Sequence, residues 1–279
     1  MNEKALRILE YNKIIEKLVD CATSPMGKAL CEKLEPSADL GDICQNQMET
    51  SDALSRVYAK GSLSFSGLRD IRGSLLRLKV GSSLSATELM HVASLLEAAL
   101  RAKSYGRREN DDMNADSLDG FFNAIEPLSP VCREIRRCIL SEEEIADDAS
   151  PGLKHVRRSI KLTNERIHSQ LNAMVNSSAV SNKLQDNLIT MRNGRYCLPV
   201  KAEYRSQIQG MIHDQSSSGS TLFIEPMAVV KLNNDLRELA AKEKEEIEKI
   251  LADLSNQCAE FQEELSTNIT VMSHLDFVF

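Results

Sequence analysis

The sequence predicts a mainly α protein with a helical core, two long antiparallel helices and a small antiparallel β-sheet between those helices. Two observations support this prediction. Residues 150–186 and 227–279 each carry one narrow apolar stripe with the three- and four-residue steps of a helix. Between them, residues 187–226 have the pattern of short strands, and Asn193-Gly194 is a strong signal for a two-residue type I′ hairpin turn.

Composition limits the classes of protein that the chain can be. Its 279 residues are 42% hydrophobic and 27% charged, enough for a globular core and about two domains. The net charge of −7 argues against a uniformly basic nucleic-acid binder, so any such binding requires a local patch. Seven scattered cysteines without a CxxC pair indicate reduced thiols, and we expect a cytoplasmic protein. The N-terminus lacks a signal peptide, and no apolar run approaches the length of a membrane span.

Residues 1–149 are predicted to form a helical core of short helices. The first helix is marked by apolar residues at helical spacing: Leu6, Leu9, Ile14, Ile15 and Leu18. Thr23 or Ser24 then caps a second helix with Pro25 at its first position, and Pro36 stops that helix. A third helix is predicted over residues 43–58.

The second half of this core follows a Gly/Ser break at residues 60–66. Ile71, Leu75 and Leu78 predict a fourth helix that ends at Gly81, and Ser85-Ala-Thr-Glu88 opens another as a capping box. Residues 110–119 are polar and acidic and are predicted to form a surface loop. Its aspartates Asp111, Asp112 and Asp116 lack the glycine and terminal glutamate of a calcium loop, so we expect them to be solvated.

Two long helices frame the rest of the chain. Ser150-Pro151 starts the outgoing helix, residues 150–186, whose stripe is Leu153, Val156, Ile160, Thr163, Ile167, Leu171 and Met174. The returning segment, residues 227–279, predicts one helix from Met227 to Ser273, about 70 Å long. Its stripe is Leu232, Leu236, Leu239, Ile247, Ile250, Leu254, Cys258, Phe261, Leu265, Ile269 and Met272, with the period of a straight helix. Because so long and polar a helix is marginal alone, the two stripes should pair, antiparallel if the sheet acts as the turn.

Residues 187–226 are interpreted as a β-meander. Pro199 cannot donate to a ladder, so its strand should be an edge strand or end there. Residues 207–213 predict a third strand, residues 215–220 a Ser/Gly turn and residues 221–225 a fourth strand before Pro226.

Local charge singles out the same region. Between Pro151 and Gly210, ten basic residues stand against Glu165, Asp186 and Glu203, a balance of +7, so the remainder carries −14. The basic residues are Lys154, Arg157, Arg158, Lys161, Arg166, Lys183, Arg192, Arg195, Lys201 and Arg205. Such asymmetry suits contact with a phosphate backbone, which requires charge without base-reading geometry.

The helical and sheet cations have different expectations. For the helical residues, we expect a solvated face paired with the acids of the returning helix: Glu243, Glu245, Glu246 and Glu248. The sheet has few acids, so its cations should be solvated and available for nucleic-acid contact. The candidate nucleic-acid-binding residues are Arg192, Arg195, Lys201, Arg205 and Lys183.

Catalytic and metal sites are not expected in this chain. His213, Asp214 and Ser216–Ser218 suggest a hydrolase, but no GxSxG elbow is present, and a turn that bonds its own backbone is the better interpretation. His155 and His168 lie 13 residues apart with no ligand between them, so we expect no metal. No GxxxxGK[ST] occurs, so no cofactor is expected in this chain.

Several segments resemble one known family. RYCLPVKAEYR, then GMIHDQSSSGSTLFIEP and NNDL, are similar to the clamp region of the second bacterial branch of the MutS family, MutS-two. EEIADDASPGLKHVRRSI resembles its lead into the first lever helix, SFSGLRDIRGSLLRLKVGSSLSATEL its N-terminal core, and HLDFVF the stretch before its ATPase domain. The resemblance implies a core in residues 1–149, lever helices in 150–186 and 227–279, and a clamp in 187–226.

The resemblance also implies a function. Members of this family are homodimeric ATPases related to mismatch-repair proteins, and they often end in a small nuclease domain. They are associated with suppressing recombination through branched DNA and with splitting collided ribosomes. The resemblance thus implies that this chain binds branched or duplex DNA, or alternatively ribosomes and ribosomal RNA. A structural dimerisation arm is a further alternative. The resemblance places ATP, magnesium and any cleavage in domains beyond residue 279.

Overall fold

The computed structural model describes residues 3–107 and 115–279. The chain divides into two compact units. The first unit comprises Met1–Ala146 and Ile250–Phe279, and the second unit comprises Asp147–Lys249. Within the described ranges, no helix combines the length and apolar content that a membrane span requires.

The first unit is helical. Its helices from the N-terminal stretch are α1 (Glu3–Ile8), α2 (Tyr11–Cys21), α3 (Pro25–Glu32), α4 (Leu40–Lys60), α5 (Arg72–Lys79), α6 (Ala86–Gly106), α7 (Asp119–Ala124) and α8 (Ser129–Cys138). The starts of α3 and α6 follow the capping residues that the sequence predicts. Ser24 accepts a hydrogen bond from the Gly27 amide at the start of α3, and Ser85 and Glu88 form the capping box of α6.

The core of the first unit surrounds α6, whose apolar residues Leu89, Val92, Leu95 and Leu96 are at most 1% exposed. Helix α8 packs against it, and the Cys132 thiol lies 3.6 Å from the Ala93 carbonyl oxygen. Neither α7 nor α8 was predicted from the sequence, although Ser129-Pro130 is a helix-start signal that could have indicated α8.

A second group of helices completes this unit. Helix α11 (Met227–Glu260) enters it from Ile250 onward, and α12 (Gln262–Val278) follows. The prediction of one helix from Met227 to Ser273 was wrong, because Phe261 leaves helical geometry at φ −115°, ψ 33°. Neither glycine nor proline stands there, so residue type does not mark the break. Packing of α12 against α3, α5 and α7 accompanies it.

One carboxylate of helix α12 forms hydrogen bonds with the two residues that precede α3. Asp276, 5% exposed, accepts hydrogen bonds from the amide and hydroxyl of Thr23 at 3.0 and 2.8 Å, and from those of Ser24 at 2.7 and 2.5 Å. These contacts join residues more than 250 positions apart, so the N-terminal helices and α12 form one unit.

The acidic segment before α7 corrects another expectation. Asp116 was expected to be solvated, but it accepts two hydrogen bonds of 2.6 Å from Arg56, whose side chain is 9% exposed. Asp119 also bonds Arg56, at 2.7 Å. A buried guanidinium requires carboxylates, and these two supply them. Asp111 and Asp112 lie outside the described residues.

The second unit combines helices and a sheet. Its elements are α9 (Pro151–Val175), α10 (Ser178–Ser181), β1 (Thr190–Arg192), β2 (Arg195–Lys201), a 3-10 helix (Ala202–Gln207), β3 (Gly210–Gln215), β4 (Thr221–Pro226) and the part of α11 up to Lys249. Ser150 caps α9 by accepting from the Leu153 amide. Asn193 and Gly194 have φ of 51° and 73°, the positive values that a type I′ hairpin requires.

The sheet is antiparallel, but it is not a meander. Its strand order is β1-β2-β4-β3, so β4 lies between β2 and β3. After β2, the 3-10 helix leads the chain beyond the position beside β2 that β4 occupies. β3 is therefore the outer strand. β2 is an interior strand that continues past Pro199 to Lys201, so the prediction of an edge strand or of a strand end at Pro199 was wrong, although pairing with β1 stops at Cys197.

One core holds the second unit together. Ile167, Leu171 and Val175 of α9 pack with sheet residues and with Val229 of α11; the sheet and loop members are Leu184, Leu198, Val200, Ile208 and Ile224. The end of α9 therefore meets the start of α11. At the other end, Arg157 near the start of α9 bonds Glu243 of α11 at 2.7 Å. The two helices run antiparallel, as the stripes predict.

Candidate nucleic-acid interface

Arg195 is an internal cation of the sheet. Its side chain is 17% exposed and bonds the Glu225 carboxylate at 2.8 Å, while Glu225 itself is 0% exposed. Its second terminal nitrogen donates to the Asn234 side chain at 2.6 Å. The expectation that the sheet cations are solvated was wrong for Arg195, because β4 places a buried carboxylate beside it.

Glu225 is the centre of a closed polar network. Its Oε1 also accepts from Asn233 Nδ2 at 2.8 Å, and its Oε2 lies 2.5 Å from His213 Nε2. Asn233 further accepts from the Tyr196 amide at 3.1 Å. A buried carboxylate with three partners fixes the hairpin, β3, β4 and α11 relative to one another. Sequence reasoning missed it, although one carboxylate in the apolar strand TLFIEP is a signal that it must find partners.

Arg192 is partly neutralised. Its guanidinium lies 4.0 Å from the centre of the Phe223 ring, and its Nε lies 3.2 Å from Asp214. Its side chain is 38% exposed, so one face of the group still meets solvent. Stacking on an aromatic face and a single carboxylate hold it in place without enclosing it.

Lys183, Lys201 and Arg205 form the unneutralised group. The Lys201 amide donates to the Lys183 carbonyl at 3.0 Å, so the backbones of the two lysines are adjacent. Lys201 Nζ donates to the Asn182 carbonyl at 3.3 Å, and Arg205 donates to the carbonyls of Ile208 and Gly210 at 3.3 Å. Within the part of the chain that the structure describes, no carboxylate lies within 4 Å of these three cations.

The five predicted residues therefore divide into two groups. Arg192 and Arg195 lie beside the Asn193-Gly194 turn with carboxylate partners, while Lys183, Lys201 and Arg205 have none among the described residues. Because β2 runs from Arg195 to Lys201, these groups lie toward opposite ends of that strand. The second group therefore retains more of the positive charge that a phosphate backbone would meet.

The helical cations Lys154, Arg158, Lys161 and Arg166 are exposed, as expected, but their pairing differs from expectation. Of the predicted pairs with the acids of α11, Arg157 forms one, to Glu243, and it also bonds Asp147 at 2.5 Å. Glu246 bonds Lys249 at 2.7 Å and Glu248 lies 3.8 Å from Lys244, both within α11. The remaining cations of α9 are exposed, with no carboxylate within 4 Å in the described ranges: Lys154, Arg158, Lys161 and Arg166.

The groups that suggest catalysis are arranged for structure. His213 meets Glu225 rather than a serine, and the Ser216 hydroxyl accepts from the Thr221 amide at 3.1 Å, as expected for a turn that bonds its own backbone. Burial and the nearby Glu225 raise the pKa of the Cys197 thiol to about 11. This thiol is therefore protonated and a poor nucleophile at neutral pH.

Metal ligands do not converge in the described residues. His168 packs edge-on against Tyr196, with ring centres 4.9 Å apart, and His155 is exposed near the start of α9. Over residues 3–107 and 115–279, no three His, Cys, Asp or Glu side chains gather into a group that could hold a metal ion.

Three curated relatives align with the whole of this chain. Each is named endonuclease MutS2. The protein from Lachnoclostridium phytofermentans is 59% identical over 284 residues, that from Agathobacter rectalis 53% over 279 residues, and that from Lachnospira eligens 49% over 279 residues. The alignments cover 100% of this chain and 36%, 35% and 35% of the relatives, so the chain spans about a third of their length. No protein-family model matches the chain.

Fold and interface together define a mainly α protein whose small antiparallel sheet carries cations and a buried carboxylate network. Identities of 49–59% over the whole of this chain show which family within that class the chain belongs to. The chain belongs to the MutS2 family. The family resemblance of its sequence motifs is thereby confirmed.

Proposed function

We propose that the second unit binds the sugar–phosphate backbone of DNA, duplex or branched, as a part of a MutS2 protein. The observation that carries the proposal is the group of Lys183, Lys201 and Arg205, three cations of the second unit that have no carboxylate partner in the described part of the chain. Backbone contact requires positive charge and hydrogen-bond donors, which lysine and arginine supply.

The relatives support the same class of ligand. Their name, endonuclease, describes proteins that act on nucleic acid. The local excess of basic residues inside an acidic chain also supports a localised contact, because the remainder of the surface would repel phosphates.

We further infer that catalysis belongs to other parts of the whole protein. ATP and magnesium would bind outside residues 1–279, because this sequence has no GxxxxGK[ST] loop. Homodimerisation would bring two copies of the second unit to one DNA, and a dimerised form should bind more tightly than an isolated chain.

The test compares branched DNA, linear duplex DNA and ribosomes as ligands of this chain across a salt series, in monomeric and artificially dimerised form. A variant with Lys183→Ala, Lys201→Ala and Arg205→Ala should lower the log–log salt slope on duplex DNA by about 3, at roughly 0.9 per lost phosphate contact. Preference among DNA sequences should not change, because backbone contacts do not read bases.

A charge-matched control keeps the change in net charge equal. Lys242, Lys244 and Lys249 are exposed on the acid-rich α11, so their triple glutamine variant should leave the slope nearly unchanged. Preferential binding to ribosomes would favour the alternative of a ribosome-binding arm. Equal binding of the dimerised wild type and the Lys183/Lys201/Arg205 variant would remove these cations from the contact surface and favour a structural arm.

A further inference from the structure

Three cations lie on one face of α9 and are not part of the contact proposed above. Lys154, Arg158 and Lys161 are spaced by four and three residues, so they line one side of the helix. All three are exposed, whereas the buried residues of α9, Leu153, Val156, Thr163, Ile167, Leu171 and Val175, face the other way. We name Lys154, Arg158 and Lys161 the α9 stripe.

Within residues 3–107 and 115–279, the α9 stripe has no carboxylate partner, although acids are present on α9 and α11. Arg157, on the flank facing α11, takes Glu243 and Asp147, and Glu246 and Glu248 are engaged by lysines of α11. Glu165, one turn beyond Lys161, is not within 4 Å of its ammonium group. In the described residues, no carboxylate neutralises the stripe.

Helix stability does not account for these positions. The N-terminal end of a helix carries a partial positive charge that falls off within the first turn, so the helix dipole gives the cations of the stripe no stabilisation. The first turn of α9 has no acidic residue, and the stripe occupies the turns that follow. Three exposed cations on one side of a helix form a local positive surface that an anionic ligand can meet.

We propose that the α9 stripe is a second contact for a nucleic-acid sugar–phosphate backbone, separate from Lys183, Lys201 and Arg205. From Lys154 to Lys161 the helix rises about 10.5 Å, roughly three steps of the 3.4 Å axial spacing of phosphates on one strand. The stripe holds no aromatic side chain, so it contacts the backbone without reading bases. This proposal rests on nucleic-acid binding by the second unit, but it does not require that Lys183, Lys201 and Arg205 take part in that binding.

The experiment uses the whole chain with 20-base-pair duplex DNA and duplex RNA as probes, each titrated at several salt concentrations. The variant Lys154→Gln, Arg158→Gln, Lys161→Gln should flatten the log–log salt slope by about 3 on at least one duplex. The charge-matched control Lys242→Gln, Lys244→Gln, Lys249→Gln should flatten it by less than about 1. Lys154→Arg with Lys161→Arg should retain wild-type binding, because charge is kept.

The outcomes separate this proposal from the preceding one. If the Lys183/Lys201/Arg205 variant binds like wild type while the stripe variant loses slope, the sheet contact fails and the α9 stripe stands. If the stripe variant and its control have the same slope, with unchanged circular dichroism, the stripe proposal is overturned. Wild-type protein that binds neither duplex, but binds an acidic protein surface, would overturn both proposals.

Discussion

Glu225 is a buried carboxylate at 0% exposure, and three side chains bond it: Arg195, Asn233 and His213. Two arginines only three positions apart in sequence consequently have different roles. Arg195 is enclosed with Glu225, while Arg192 lies across Phe223 with part of its surface in solvent. A buried charge without its partner is strongly destabilising, so the role of Arg195 is to stabilise the fold by pairing with Glu225.

Arg195→Ala should lower the free energy of unfolding by about 2 to 3 kcal/mol, because it leaves Glu225 buried with one charged partner fewer. Lys201→Ala, which removes a contact to one carbonyl, should change it by about 0.5 kcal/mol or less. Chemical unfolding followed by circular dichroism measures both. Equal stability of the two variants would contradict the division of the sheet cations.

Asp116 provides a test with pH. Its burial raises the carboxyl pKa, but hydrogen bonds and attraction from Arg56 outweigh that effect, so the pKa is lowered overall. Stability from this group is therefore present above the unfolded-state pKa near 3.9 and is lost as pH falls through the lower folded-state pKa. Asp116→Asn should cost about 2 kcal/mol at pH 7, and the gap from wild type should narrow below about pH 4. A gap that is constant from pH 7 to pH 3 would show that Arg56 does not depend on ionised Asp116.

Among the helices and strands, those with local signals were predictable. Ser24, Ser85 and Ser150 mark helix starts by capping chemistry, and Asn193-Gly194 sets the hairpin through positive φ. The break at Phe261 and the position of β4 between β2 and β3 depend on packing between distant residues, so the local sequence does not contain them. The basic segment was also predictable, but which cations stay free was not, since Glu225 meets Arg195 only after the sheet forms.

Leu254 is a helix residue whose packing partners the local sequence did not predict. The sequence assigns it to the contact between the two long helices, whereas it belongs to the first unit, where it is 2% exposed. Leu254→Asp should destabilise the chain by several kcal/mol because it buries an unpaired charge. Glu248→Ala, on the exposed side of the same helix, should change stability by about 0.5 kcal/mol or less. Identical melting temperatures would mean that Leu254 is not a core residue.

For the whole chain, the surroundings of its reactive side chains set the chemistry that we expect. The chain spans about a third of its curated relatives, and the division of its residues into core, lever and clamp stays a prediction. His213 is bonded to Glu225 and the Cys197 thiol has a pKa raised to about 11, so the nucleophiles and bases of the sheet have structural environments.

Residues 1–279 should neither hydrolyse ATP nor cleave DNA. The phosphate loop is absent from the sequence, and His213 has no serine or cysteine partner in the contacts of the sheet. Release of phosphate from ATP and nicking of supercoiled plasmid are the measurements, with His213→Ala as the control for adventitious activity. Turnover that purifies with the chain and disappears in His213→Ala would contradict the prediction.

The discontinuity of the first unit has a consequence for biosynthesis. Asp276 bonds Thr23 and Ser24, so α12 must leave the ribosome before the N-terminal helices can complete their core. The second unit is continuous, Asp147–Lys249, and all of its elements emerge earlier. At roughly 5 to 20 residues per second, residues 147–279 take about 7 to 27 s to synthesise. Helix α12 also packs against α6. During that interval the surface of α6 that α12 covers is open to chaperones or to aggregation, while the second unit can already fold.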